Sequence, residues 1–367
     1  MSQVAALARP EEKRDEVESA VVRFAGDSGD GMQLTGTQFT LTAALAGNDL
    51  ATFPDFPAEI RAPAGTTFGV SAFQINFGAR RIMTSGDDLD VLVVMNPAAL
   101  ITNLSDVKPG GIVIADVGAF TARNLTKAGY EESPLENGNS LDKYRVIKID
   151  MSRLTVESVK EFGLSNKEAL RSKNMWALGL VYWMYGRPRA ASVDWLNAKF
   201  SKQPDIAAAN IAALNAGHAF GETAEMPAEI GGYSIPPAKI DPGVYRTVTG
   251  TESIALGLLA GTQLAKVGLT FCSYPITPAS ALLHQLAAMK EFGVITFQAE
   301  DEIAAAGAAI GASYAGSLGI TSSSGPGIAL KMEAIGLAIA TELPLLIVNS
   351  QRAGPSTGLP TKTEQSD

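Results

Sequence analysis

Short apolar runs alternate with helically spaced segments on both sides of a stretch dense in proline and glycine. That order restricts the chain to an α/β architecture with parallel strands and helices packed on them. The first run is Ala20-Val21-Val22-Arg23-Phe24-Ala25, which leads into the loop Gly26-Asp27-Ser28-Gly29-Asp30-Gly31. Residues 32–46 then carry Leu34, Phe39, Leu41 and Leu45 at helical spacing, with Gly47-Asn48 as the stop. Segments 91–95, 111–115 and 145–149 read as further strands, and 98–104 and 173–185 as helices. Pro227, Gly231, Gly232, Pro236, Pro237, Pro242 and Gly243 crowd residues 226–243, which read as a linker. A second alternating unit follows: a helix 251–265 capped by Thr251, a strand 269–274, a helix 278–292 and a strand 294–297. An Ala-rich helix from Asp301, a strand 319–322, a Gly/Ser loop, a helix ending at Thr341 and a strand 345–349 complete it.

The expected layout is a mobile charged leader (1–19), an α/β domain (20–205), a helix and Pro/Gly linker (206–245) and a second α/β domain (246–367). The second domain is expected to continue past Asp367. In such sheets ligands sit in loops at the carboxyl ends of the strands. The 367 residues carry 29 Lys and Arg against 38 Asp and Glu, a net charge of −9. Nucleic acid is therefore not an expected partner, because phosphate binding needs clustered cations. The one cysteine, Cys272, forbids both an intramolecular disulfide and an iron–sulfur cluster held by this chain alone. Residues 303–330 lack charge, but Ala, Gly and Ser dominate them, so they read as a buried helix, strand and loop rather than a membrane span. No secretory signal is expected, and the chain is assigned to the cytoplasm.

Four loops could carry chemistry. The Gly26–Gly31 loop has the setting of a dinucleotide fingerprint, but its glycines stand at 26, 29 and 31, and Asp27 and Asp30 would repel a pyrophosphate. A tight turn feeding a closely packed helix is the better reading. Gly29-Asp30-Gly31 also imitates the start of a magnesium–diphosphate motif, which needs an Asn about 25 residues on. Asp55-Phe56-Pro57-Ala58 stands there instead, so no metal ligand is assigned in this chain. In Tyr274-Pro275-Ile276-Thr277-Pro278 two prolines fix Thr277, either to present its hydroxyl or simply as an N-cap before Pro278. Glu300-Asp301-Glu302 opens the Ala/Gly helix. First-turn acids are ordinary dipole partners, yet Glu302 lies on a face of small residues where a carboxylic acid can meet a ring nitrogen. Spacing alone leaves both readings open. Thr321-Ser322-Ser323-Ser324-Gly325-Pro326-Gly327 reads as a flexible polar loop. Arg352 can clamp a carboxylate through two parallel hydrogen bonds, though an isolated arginine is more often a surface residue. His218 and His284 are solitary and read as non-catalytic.

Together these residues resemble the alpha subunit of 2-oxoacid:ferredoxin oxidoreductases of the fused gamma–alpha type, most nearly those acting on 2-oxoglutarate. The match is carried by Tyr274 to Pro278, by Glu302 in its helix, by Ser324 to Gly327, and by Gln351-Arg352-Ala353-Gly354-Pro355-Ser356-Thr357-Gly358-Leu359-Pro360-Thr361-Lys362. In the first half it is carried by Phe24 to Gly31 and by Glu59-Ile60-Arg61-Ala62-Pro63-Ala64-Gly65. The resemblance implies that the first domain is gamma-like and the second binds the pyrimidine of thiamine diphosphate. Tyr274, Pro275, Ile276, Thr277, Glu302, Ser324 and Gly325 would then surround the cofactor. Glu302 would hold the pyrimidine nitrogen, Thr277 would contact the 2-oxoacid, and Arg352 would hold its carboxylate.

The implied reaction is oxidative decarboxylation of 2-oxoglutarate to succinyl-CoA with reduction of ferredoxin, reversible as carbon dioxide fixation. Magnesium and the iron–sulfur cluster would sit on a beta subunit, which shares the cofactor. The assembly would be an alpha–beta heterodimer or a dimer of heterodimers, inactive without beta, with coenzyme A as co-substrate. The same chemistry on pyruvate or branched-chain 2-oxoacids, a non-catalytic scaffold, and a dehydrogenase built on the Gly26 loop are the alternatives.

Overall fold

The computed structural model describes residues 14–55, 69–137, 139–223 and 232–351, which divide between Pro242 and Gly243 into two units. In the first unit the strands are β1 (Asp15–Glu16), β2 (Ser19–Asp27), β3 (Asp49–Asp55), β4 (Val70–Gly78), β5 (Leu89–Val94), β6 (Val107–Asp116), β7 (Arg145–Ile149) and β8 (Tyr233–Ser234). Six of them form one sheet in the order β3-β4-β2-β5-β6-β7. From β2 to β7 neighbouring strands run parallel, as the alternation predicts. Successive side chains in these strands bury on opposite faces. Val22, Phe24, Val91, Val93, Ile112 and Ile114 join one core, while Ala25, Leu92, Val94, Val113 and Ala115 join another. Both faces are covered, which is why these strands read as continuous apolar runs.

Two features depart from the expected parallel sheet and charged leader. β3 and β4 form an antiparallel flank, β4 pairing with both β2 and β3. Gln74 and Asn76 interrupt the apolar run of β4, and both are buried. Their amides donate to the carbonyls of Ser85, Gly86 and Thr84. Within the leader, expected to be mobile through residue 19, the fold takes in Arg14. Its guanidinium donates to the Trp183 carbonyl at 2.7 Å, and β1 pairs in parallel with β8. The helix Pro204–Thr223 is no connector either, for it packs along the buried helix Lys173–Met184. Backbones meet there: a Cβ on Gly217 would lie 1.9 Å from the Trp176 carbonyl oxygen, and one on Gly179 2.0 Å from that of Leu214.

In the second unit β9 (Gly268–Ser273), β10 (Val294–Gln298), β11 (Ser317–Ser323) and β12 (Leu345–Asn349) form a parallel sheet in the order β10-β9-β11-β12. Leu269, Phe271 and Ile320 of its two central strands pack with Ala255, Leu282, Leu283, Leu286 and Val294. The helix before β9 is Gly250–Ala265, and its cap is Thr249 rather than the expected Thr251. Thr249 and Glu252 satisfy each other's backbone N–H groups, a reciprocal capping box. The next helix spans Ser280–Ala287, with Ala279 as N-cap, so the expected capping role of Thr277 and the expected start at Pro278 both give way to a turn. No helix among the described residues is long and apolar enough to cross a membrane.

Candidate active site

Every loop singled out in the second unit follows the carboxyl end of one of its strands. The turn Tyr274 to Pro278 follows β9, with Tyr274 and Ile276 half-buried and Pro275 and Thr277 exposed. The Ile276 carbonyl accepts from the Ser280 amide at 2.8 Å and the Ser280 hydroxyl at 3.0 Å, anchoring the turn to the helix behind it.

After β10 the chain enters the helix Glu302–Tyr314. Asp301 is its cap, its carboxylate accepting from the Ala304 amide at 2.7 Å. Glu302 is thereby left free of capping duty. It is half-buried, and no hydrogen bond reaches its carboxyl among the described residues. Asp301 thus takes the capping role, and Glu302 stands in the same first turn without it.

The Thr321–Gly327 segment is not the flexible loop expected. Thr321, Ser322 and Ser323 end β11, and Thr321 through Ser324 are all fully buried. A helix, Gly325–Leu330, starts directly after Ser324. Ser322 meets the Ser273 hydroxyl of β9 at 3.0 Å, while the buried hydroxyls of Ser323 and Ser324 have no hydrogen-bond partner among the described residues. Buried hydroxyls without partners are uncommon and call for an explanation, such as an absent ligand. Gly327 decides how closely this turn approaches the acid. A Cβ there would fall 2.8 Å from Glu302 Cγ and 2.0 Å from Ser323 Oγ. With glycine in place, Glu302 and Ser323 lie against the same backbone position.

Beneath them is a residue that sequence reasoning passed over. Lys331 is fully buried, and its ammonium donates to Thr321 Oγ1 at 2.7 Å and the Ser322 carbonyl at 3.4 Å. Burial pushes it down to about 8, with the Glu302 carboxylate acting in the opposite sense. The signal was present: Lys331 is the one charge between Glu302 and Glu333.

The structure thus brings Glu302 against Gly327 beside Ser323, and Ser324 and Gly325 lie between those two in the chain. It sets Tyr274 to Thr277 at the same edge of the sheet, without a hydrogen bond to Glu302 among the described residues. Arg352 and its motif from 352 to 362, like 59–65, lie outside the described residues. In the first unit the Gly26 loop closes on itself, as a tight turn should. Asp30 Oδ2 accepts from the Asp27 amide at 2.9 Å, taking an N–H that a phosphate would use, and Asn96 donates to Asp27 at 2.8 Å. Burial first, and then Asp30, raise the Asp27 carboxyl above the usual range. No cluster of three or more His, Cys, Asp or Glu that could hold a metal occurs among the described residues.

A carboxyl free of capping, beside orphaned hydroxyls and a glycine that clears room, suits an aminopyrimidine, which needs one acid at a ring nitrogen and close backbone on a face. Comparison with known proteins points to the same chemistry. Residues 264–367 match the model described as pyruvate flavodoxin/ferredoxin oxidoreductase, thiamine diP-bdg, and residues 21–220 match pyruvate ferredoxin/flavodoxin oxidoreductase. The 2-oxoglutarate oxidoreductase subunit KorA of Mycobacterium tuberculosis is 55% identical over 354 residues, 96% of this chain and 54% of that protein. The alpha subunit of 2-oxoacid:ferredoxin oxidoreductase 1 of Aeropyrum pernix is 29% identical over 78% of this chain and 49% of its own. A solved 2-oxoglutarate:ferredoxin oxidoreductase from Magnetococcus marinus, with 2-oxoglutarate, coenzyme A and succinyl-CoA bound, superposes with a TM-score of 0.73 at 32% identity, covering 96% of this chain and 55% of that one. The chain spans about half the length of the curated relatives it matches. With both of its units matched in this way, the chain belongs to the pyruvate ferredoxin/flavodoxin oxidoreductase family.

Proposed function

We propose that the chain is the cofactor-activating part of the alpha subunit of a 2-oxoacid:ferredoxin oxidoreductase that converts 2-oxoglutarate, coenzyme A and oxidised ferredoxin to succinyl-CoA, carbon dioxide and reduced ferredoxin, in either direction. The observation that carries the reading is Glu302: an acid at the carboxyl edge of a parallel sheet, relieved of capping by Asp301 and seated against Gly327. The 2-oxoglutarate branch is favoured by the similarity to the Mycobacterium tuberculosis and Magnetococcus marinus proteins.

When bound, thiamine diphosphate supplies a carbon nucleophile and an electron sink for decarboxylation. Glu302 holds a proton at the pyrimidine nitrogen, which general acid–base catalysis requires within hydrogen-bond reach. Thr277, exposed in its turn, donates to the 2-oxoacid, and Arg352 pairs with its carboxylate. Tyr274, Pro275, Ile276, Ser324 and Gly325 line the ring. A chain with one cysteine cannot hold a four-cysteine cluster. On this reading the magnesium, the iron–sulfur cluster and the site for ferredoxin belong to a beta partner in the cytoplasm, as the family resemblance implies.

The test is Glu302→Gln in the assembled enzyme, assayed by coenzyme A-dependent reduction of a low-potential dye with 2-oxoglutarate, pyruvate and branched-chain 2-oxoacids. Turnover should fall roughly 10²–10⁴-fold, the range of a general acid–base residue. The unaltered enzyme should prefer 2-oxoglutarate, and this chain alone should be inert. Undiminished turnover in the variant would leave only a scaffold.

A further inference from the structure

We propose that Ser323 is a positioning residue for Glu302: with a ring in the site, its buried hydroxyl donates to one Glu302 carboxyl oxygen and leaves the other facing the ring nitrogen. The inference rests on Glu302 being the acid that meets the ring. Three observations carry it. The first is that Ser323 is fully buried at the end of β11 while its hydroxyl has no hydrogen-bond partner among the described residues. The groups around it are already engaged. Ser322 is matched to Ser273 at 3.0 Å, Thr321 Oγ1 accepts from Lys331 at 2.7 Å, and the Ser323 carbonyl accepts from the Ser350 amide at 2.9 Å. The main chain of Ser323 is thus tied down, and its hydroxyl is uncommitted.

The second observation is where that hydroxyl stands. The position that a Gly327 Cβ would take lies 2.0 Å from Ser323 Oγ and 3.1 Å from Glu302 Oε1. The two oxygens are therefore roughly 5 Å apart at most, against about 2.5–3.0 Å for an O–H···O bond. A rotamer change of one side chain spans the difference. The third observation is the frame that holds both ends. Gly319 lies on the same face of β11 as Ser323, and a Cβ there would fall 1.9 Å from the Ala309 carbonyl oxygen of the helix Glu302–Tyr314. That backbone contact sets the start of the helix, with Glu302, against the end of the strand, with Ser323. A buried hydroxyl without a partner costs stability. An ionised carboxyl is the partner that recovers most, since bonds to charged acceptors are about twice as strong as neutral ones. No covalent bond forms or breaks in this contact, and no electron moves.

The experiment titrates the assembled enzyme, freed of cofactor, with thiamine diphosphate and magnesium by calorimetry, and melts it without them. It compares the unaltered chain with Ser323→Ala, Ser322→Ala, Glu302→Ala, and Ser323→Ala combined with Glu302→Ala. Ser323→Ala should melt no lower than the unaltered enzyme, because its hydroxyl has no bond to lose, and should weaken cofactor binding roughly 10- to 100-fold. Ser322→Ala should do the reverse, melting lower as its bond to Ser273 is lost while binding within ~2-fold of the unaltered enzyme. In the Glu302→Ala background the Ser323 change should alter binding by less than ~2-fold, since the hydroxyl acts through the carboxyl. Ser323→Ala that binds as tightly as the unaltered enzyme overturns the proposal, and so does an equal loss in both backgrounds. Equal weakening by Ser322→Ala overturns it as well, since binding would then follow the strand end as a whole. A Ser323→Ala enzyme that melts lower or fails to assemble also overturns it, because that hydroxyl would then serve the fold. An unaltered enzyme that binds no thiamine diphosphate, or a Glu302→Ala enzyme that binds it undiminished, overturns the Glu302 reading too. Failure confined to the Ser323 variant overturns this inference alone.

Discussion

Gly327 is the residue whose smallest change has the largest local consequence. A methyl group there must displace both the Ser323 hydroxyl, 2.0 Å away, and Glu302 Cγ, 2.8 Å away. Gly327→Ala is expected to cost about 1–3 kcal/mol, the ordinary range for overpacking, and to abolish cofactor binding. Thermal melts with and without thiamine diphosphate check this: the variant should lose the ligand-induced rise in melting temperature, and an intact rise would refute it. A second residue-scale test lies far from the site. The Tyr182 hydroxyl is buried between the Gln38 carbonyl at 2.9 Å and Ser192 Oγ at 2.7 Å. Tyr182→Phe leaves those groups short of a partner, and urea unfolding should show a loss of about 1–3 kcal/mol. Burial raises this phenol to about 12, so its contribution is present below the unfolded value of 10.0 and is lost as pH rises toward 12. At this scale Glu302 was singled out from the sequence because an acid opening an Ala/Gly helix is noticeable. Lys331 was not, because a lysine closing an apolar run looks like a solvated helix end until the fold seals it.

Among the elements, the helix Gly250–Ala265 shows how a cap can be misjudged by two residues. Thr249 and Thr251 are equally plausible by residue type, but Thr249 stands three before Glu252, the spacing of a reciprocal cap. Thr249→Ala should cost about 1 kcal/mol, measurable by denaturant unfolding, and Thr251→Ala appreciably less. The Thr249 backbone bond holds the Glu252 carboxyl below the usual range. The cap therefore contributes above the ordinary carboxyl value of 4.5 and weakens as pH falls through the lowered one. The strands β2, β5 and β6 were legible because both of their faces are apolar, and β7 because Val146, Ile147 and Ile149 mark it despite the exposed Lys148. β4 was not, because Gln74 and Asn76 serve backbone carbonyls from inside the sheet and break the run. The serines ending β11 misled in the opposite direction. Four small polar residues beside glycine suggest a loop, yet Thr321, Ser322 and Ser323 form the buried end of a central strand, where Ser322 and Ser273 satisfy each other across the ladder, and Ser324 is the N-cap of the next helix.

For the whole molecule, the two-unit plan followed from the proline and glycine stretch, but the limits of the first unit did not. Residues on either side of its body belong to it: Arg14 reaches the Trp183 carbonyl, and Asn48 donates to the Pro236 carbonyl at 2.7 Å. Arg14→Ala should lower the melting temperature of the unit by about 2–4 °C, as expected for about 1 kcal/mol lost from a domain of this size. An unchanged melt would mean that the β1–β8 pair alone fastens the end. The pairing of β1 with β8 reaches further, since it brings residues 15–16 of this unit beside residues 233–234, a few residues before the unit ends at Pro242. A body with adjacent doorways is a cassette: it can be spliced into another chain, moved from one end of a gene to the other, or made as a separate polypeptide, and still close around the same core.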